Sequence, residues 1–198
     1  MAFAVKFDGL ELPASADFHV HLRDGNMMKA IVPTIRQGGV NLAYVMPNLV
    51  PPLTSGSAVL AYKQRLLEQD PSIDYLMTLY LHESISPEVI KGAKAQGIVG
   101  VKSYPAGVTT NSDTGVISYE SFYPVFAAME QYGMVLNLHG ECPSDHSKDI
   151  TILNAESSFL PTLKSLHAKF PKVRQISSDL RDLFKLPMLT QSLVKNSP

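Results

Sequence analysis

Short runs that are apolar along nearly their whole length alternate with longer stretches of helical spacing, and this alternation limits the fold more than any single motif. The runs are Asp17–Gly25, Val40–Met46, Asp74–Leu81, Ile98–Lys102 and Met134–His139. Between them the sequence predicts helices with recognisable ends. Asn26 caps one over about Met27–Gln37, stopped by Gly38-Gly39. Ser55 or Ser57 starts the next, which reaches about Glu68 and is closed by Asp70-Pro71. Ser86-Pro87-Glu88 opens a third, ending at Gly97. Ser118 begins a fourth to about Tyr132, with Gly133 after it, and Asn154 caps a fifth to about Phe170. Strands apolar on both faces, separated by amphipathic helices, specify a parallel sheet with right-handed crossovers.

Such a sheet is either doubly wound or part of an eight-fold barrel. The chemically active residues His19, His21, Arg23, Asn48, Lys102 and His139 all fall at C-terminal strand ends. In a barrel those ends converge on one site. A doubly wound nucleotide fold wants a glycine-rich phosphate loop after the first strand, where this chain has Arg23-Asp24-Gly25-Asn26. The barrel is therefore the expected fold, with about five β/α units present.

Side chains two apart on a strand share a face, so His19 and His21 project together, with Arg23 just beyond, while Phe18, Val20 and Leu22 enter the opposite apolar layer. Two imidazoles about 6.6 Å apart along a strand suit a transition metal such as zinc. The alternative is a half-buried strand with incidental histidines. His139 supplies a third nitrogen ligand. Lys102 closes a buried strand, where desolvation beside cations would lower its pKa. A neutral amine can add carbon dioxide to give a carbamate that bridges two metals; the plainer reading is a lysine snorkelling to the rim.

A formal net charge of -1 gives no electrostatic reason to expect nucleic acid or an acidic membrane surface. The one cysteine, Cys142, excludes an internal disulfide and fits a reducing compartment. No apolar run approaches the roughly 20 residues that span a bilayer, and the first residues lack signal-peptide order, so a soluble, cytoplasmic protein is expected. His82, His146 and His167 read as bystanders, Cys142 as a plain small residue, and Met27, Met28, Met46, Met77, Met129 and Met134 as core fillers. Glu141 is a candidate to orient His139.

Four segments taken together carry a resemblance. They are Asp-Phe-His-Val-His-Leu-Arg-Asp-Gly from Asp17, Met46-Pro47-Asn48, Val-Lys-Ser-Tyr-Pro-Ala-Gly from Val101 with Thr109-Thr110-Asn111, and Leu138-His139-Gly140-Glu141. In that order they resemble dihydroorotase of the amidohydrolase superfamily, in the compact single-function type of Gram-negative bacteria, fungi and plants. The resemblance runs from about Leu10 to Phe170. It implies a TIM-type (β/α)8 barrel and zinc-dependent hydrolysis of the cyclic amide of dihydroorotate to carbamoyl aspartate, and its reverse, in pyrimidine biosynthesis. It implies two zinc ions per subunit: His19 and His21 at the more buried one, His139 at the second, and Lys102 bridging both as N6-carboxylysine. Arg23 and Asn48 would hold the substrate carboxylate. The loop of Thr109, Thr110 and Asn111 would close over the substrate.

The resemblance stops near Val173. The family's sixth strand ends in Glu-His, and its last strand carries the aspartate that acts as general base. Arg174–Lys185 contains no histidine and reads instead as a capped helical segment. The sequence thus divides into a truncated barrel domain, 1–172, and a divergent helical tail, 173–198. Each implied metal position lacks one ligand and no catalytic base is retained. A spliced or interrupted product is the expectation for such a chain. Open strand edges then suggest a second function: a non-catalytic fragment that associates with the full-length enzyme, or a homodimer.

Overall fold

The computed structural model describes Gly9 and residues 11–178. Six parallel strands form one sheet, and each strand pairs with its neighbour in chain order. The elements are β1 (Ser15–Val20), α1 (Gly25–Gln37), β2 (Val40–Val45), α2 (Gly56–Gln69), β3 (Asp74–Tyr80), α3 (Pro87–Ala95), β4 (Gly100–Ser103), α4 (Tyr123–Tyr132), β5 (Val135–His139), α5 (Ala155–Lys169) and β6 (Arg174–Ser178). A doubly wound sheet reverses its strand order at a switch point. The unbroken order here is that of a barrel wall.

The helix ends follow the sequence closely. Ser55 and Ser86 cap α2 and α3 through their hydroxyls, and Gly133 ends α4 in the left-handed region at φ 63°. Two ends differ. α1 starts at Gly25 because the Asp24 carboxylate, not Asn26, accepts the first N–H. The segment after Ser118 opens with one 3₁₀ turn, Glu120–Phe122, before α4 begins.

The sheet has an outer face in a continuous apolar core with the helices, including Val45, Met77, Leu79, Val101, Leu136 and Leu138. Its inner face carries Tyr44, Thr78, Tyr80, Lys102 and Asn137, all buried. Register sets Tyr80, Lys102 and Asn137 side by side on β3, β4 and β5. Asn137 donates to the Tyr44 hydroxyl at 2.7 Å, which links β5 to β2 across the inside of the curl. Of the expected core residues, Phe18 is 59% exposed and Met27 lies outside the core, whereas Leu22 is fully buried. Phe18 sits on β1, whose partner in the sheet is β2 alone among the described strands.

Gly100 makes this inner packing possible. A Cβ there would stand 2.1 Å from the Tyr44 hydroxyl and 2.6 Å from the Val135 carbonyl. Backbone cannot yield as a flexible side-chain tip can, so Gly100→Ala is expected to destabilise the fold by about 1–3 kcal/mol, read by urea unfolding.

β6 corrects the sequence reading. Residues 174–178 form a strand where helical spacing is expected, so the sheet continues past the 172/173 boundary and holds six strands rather than five. Residues 179–198, the rest of the expected helical tail, lie outside the described residues. Tertiary pairing with β5 overrides local periodicity here. The fit is imperfect. Gln175 and Ser177 are in register with Leu136 and Leu138 and therefore face the helix layer. The Gln175 amide and Ser177 hydroxyl are buried without a hydrogen-bond partner among the described residues. An unmet buried polar group costs about 1–3 kcal/mol. Gln175→Leu with Ser177→Val is therefore expected to raise stability by about 1–3 kcal/mol in a urea melt.

Candidate metal and substrate site

β1 is irregular where it matters. Its register with β2 shifts between Asp17 and Val20, and the His19 N–H turns to the Asp17 carboxylate at 2.9 Å. The strand stops at Val20, so His21 and Arg23 stand in the connection after it. The two imidazoles still share a side, with ring centroids 5.2 Å apart. Arg23 takes a left-handed backbone, φ 59°, unusual for a residue with a side chain. That turn is fixed from two sides. The Tyr62 hydroxyl donates to the Arg23 carbonyl, and Arg65 clamps Asp24 at 2.7 Å. Arg23 Nη1 is buried with no hydrogen-bond partner among the described residues.

Asn48 ties His21 to the loop after β4. Its Nδ2 donates to the Thr110 carbonyl at 2.9 Å, so its Oδ1 is the end that faces His21 Nδ1, at 2.7 Å. A carbonyl oxygen only accepts, so Nδ1 carries the proton and Nε2 keeps its lone pair. Burial lowers the His21 pKa; the bond to Asn48 opposes this, and the charges of Arg23, Lys102 and His139 add to it. The electrostatic reach of those three groups to His21 brings the predicted residues of β1, β4 and β5 together.

The loop is pinned rather than merely adjacent. Asn111, at φ 55°, donates its side-chain amide to the Asn48 carbonyl at 3.0 Å, and the Tyr80 hydroxyl reaches the Asn111 carbonyl at 3.4 Å. Thr110 contributes its carbonyl, not its hydroxyl. Thr109 brackets the Ser112 hydroxyl through its backbone N–H and carbonyl, which shapes the loop from within.

Lys102 is fully buried, with Nζ 5.1 Å from the centroid of the Tyr104 ring. It does not snorkel to the rim. His139 Nε2 meets the Glu141 carboxylate at 3.2 Å, which makes Nε2 the protonated nitrogen. A cavity of about 370 Å³ adjoins this pair, lined by Glu141, Cys142, Gly107, Val108 and Ile152 among others. Burial pushes the Cys142 thiol up, away from thiolate reactivity. His82 bonds to Ser84, and His146 is exposed.

The motif reading assigned no role to Tyr104. Its ring lies 5.2 Å from Tyr80 and 6.3 Å from His139, and its hydroxyl is buried without a partner among the described residues. The available signal was its spacing: residue 104 shares the inner face with residue 102.

The chain is 57% identical over 165 residues to the probable dihydroorotase of Schizosaccharomyces pombe, covering 83% of this chain and 48% of that protein. It is 47% identical over 173 residues to the dihydroorotase of Saccharomyces cerevisiae, covering 84% of this chain and 48% of the yeast protein. The chain is homologous to part of dihydroorotase. It spans about half the length of the curated relatives it matches. The crystal structure of the Saccharomyces cerevisiae dihydroorotase in complex with 5-fluoroorotic acid superposes with a TM-score of 0.81 at 47% identity, over 84% of this chain and 47% of that one. An L-hydantoinase from Arthrobacter aurescens, at 20% identity and a TM-score of 0.73, shares the fold. No protein-family model matches. The dihydroorotase likeness thus makes the curled sheet a partial TIM-type barrel.

Proposed function

We propose that this chain carries the dihydroorotase half-site, acting on the cyclic amide bond of dihydroorotate to give N-carbamoyl aspartate, and in reverse, in pyrimidine biosynthesis. The observation that carries the reading is the wholly buried Lys102 at the end of β4, with Arg23, Lys102 and His139 all close enough for their charges to act on His21. The donor set fits zinc in its chemistry. His19 and His21 pair at 5.2 Å, and the hydrogen bond of His21 to Asn48 leaves the His21 Nε2 lone pair for a ligand. Among the described residues no three His, Cys, Asp or Glu side chains cluster tightly enough to hold a metal alone, so Lys102 is the needed addition. As a carbamate it would add anionic oxygen donors to the nitrogen donors of His19, His21 and His139. Bound zinc supplies Lewis acidity and acidifies water near neutral pH.

The protein's own groups do the rest. Arg23 presents an unpaired guanidinium N–H to the substrate carboxylate. Asn48 holds the histidine tautomer and the loop with one bond from each end of its amide, and its second Nδ2 hydrogen can still donate to the substrate carboxylate. The loop excludes water from the site. No proton-transferring carboxylate has been identified among the motifs of this chain, which makes a non-catalytic partner of a full-length subunit the second reading. The end strands β1 and β6, each with one sheet neighbour among the described residues, favour it.

Dihydroorotate hydrolysis, followed by ultraviolet absorbance, tests the first reading. The chain is purified from a host lacking its own dihydroorotase, with zinc and bicarbonate supplied. Turnover that disappears in His139→Ala supports it. A folded chain without turnover that co-purifies with full-length subunit supports the second. Among the described residues no helix is long and apolar enough to cross a membrane.

A further inference from the structure

Two buried hydrogen-bond donors at this site have no partner among the described residues: Arg23 Nη1 and the Tyr104 hydroxyl. Arg23 follows β1 and Tyr104 follows β4, so both stand beyond C-terminal strand ends, where the Arg23 charge reaches Tyr104 as it reaches His21. Tyr104 is 1% exposed and its ring is wedged between Tyr80 and His139, so the hydroxyl cannot swing out to solvent. Arginine accepts nothing, and a buried phenol left unmet costs stability. Such a pair is complementary to an anionic oxygen acceptor and hostile to a cation.

We propose that Tyr104 is a further substrate-binding residue, its hydroxyl and Arg23 Nη1 together forming the donor pair for the carboxylate of the ring substrate. The assignment rests on the dihydroorotase reading above and adds a residue to it. It makes two demands of opposite sign. In the ligand-free protein the hydroxyl is a liability, and in the complex it is an anchor.

The test compares the full chain with Tyr104→Phe, each supplied with zinc and bicarbonate. Binding is titrated with 5-fluoroorotate and with 5-fluorouracil, which shares the ring but lacks the carboxylate. Tyr104→Phe is expected to weaken 5-fluoroorotate about tenfold, the order of one hydrogen bond to a charged group. It should leave 5-fluorouracil unchanged and should not lower the Tm of the ligand-free chain. Equal 5-fluoroorotate affinity in the two proteins overturns the assignment while leaving the dihydroorotase reading intact. A lower ligand-free Tm with equal affinity overturns it too, by showing a structural hydroxyl. Absence of 5-fluoroorotate binding to the unsubstituted chain defeats the dihydroorotase reading itself, and the Tyr104 role with it.

Discussion

Lys102→Ala is expected to lose turnover to background and to strip the chain of bound zinc, measured as metal per chain after gel filtration. Lys102 is fully buried on the inner face beside the Tyr104 ring, within reach of His21. On the proposed reading, replacing it removes the group that, once carboxylated, would supply anionic oxygens to the metal site. Loss of a mere outer partner of a metal ligand costs about 10–100-fold in affinity or activity. Loss of a ligand must exceed that. Short-chain carboxylic acids added to Lys102→Ala should return part of the metal content, because the cavity left behind accepts an anion of carbamate shape. A variant that keeps full zinc occupancy would remove Lys102 from the ligand set. Lys102→Met separates chemistry from packing: it preserves the buried volume, so a stable fold without metal locates the loss in the nitrogen.

Asn48→Ala is the second large effect, and its readouts lie at both ends of the amide. At one end His21 Nδ1–H loses its acceptor and the ring loses its preferred tautomer. At the other end the Thr110 carbonyl loses its donor. The expected result is a drop of about 10–100-fold in zinc affinity or activity, together with faster proteolysis within residues 107–115. Asn48→Asp should be worse for the loop than for the histidine. A carboxylate still accepts from His21 but cannot donate to a carbonyl, so loop cleavage should rise while zinc binding largely survives. Equal protease resistance in all three proteins would show that the loop holds its place without Asn48.

Much of this architecture was legible before any coordinates. Alternating apolar runs and capped helices predict a parallel β/α wall, and the position of every polar motif at a C-terminal strand end predicts where the site lies. The spacing of His19 and His21 survives even though β1 ends at Val20 and slips register beside them. A histidine pair two residues apart needs only local chain geometry to share a side. The family resemblance of the four motifs was equally local, being written in contiguous segments.

What the sequence could not decide was set by contacts between distant segments. The spacing of 174–178 suits a helix, yet the free edge of β5 draws the segment into a strand and leaves Gln175 and Ser177 buried against apolar neighbours. Asn48 reads as a substrate ligand from its motif, and only the fold shows that its amide also joins His21 to Thr110, 62 residues away. Tyr104 carries no role in its motif, and only the fold shows its hydroxyl buried and unmet among the described residues. The sequence by itself determined which residues are chemically able and which strand ends carry them, because side-chain chemistry and strand periodicity are local. Only the tertiary structure decided which donor meets which acceptor, because that depends on how the barrel wall curls.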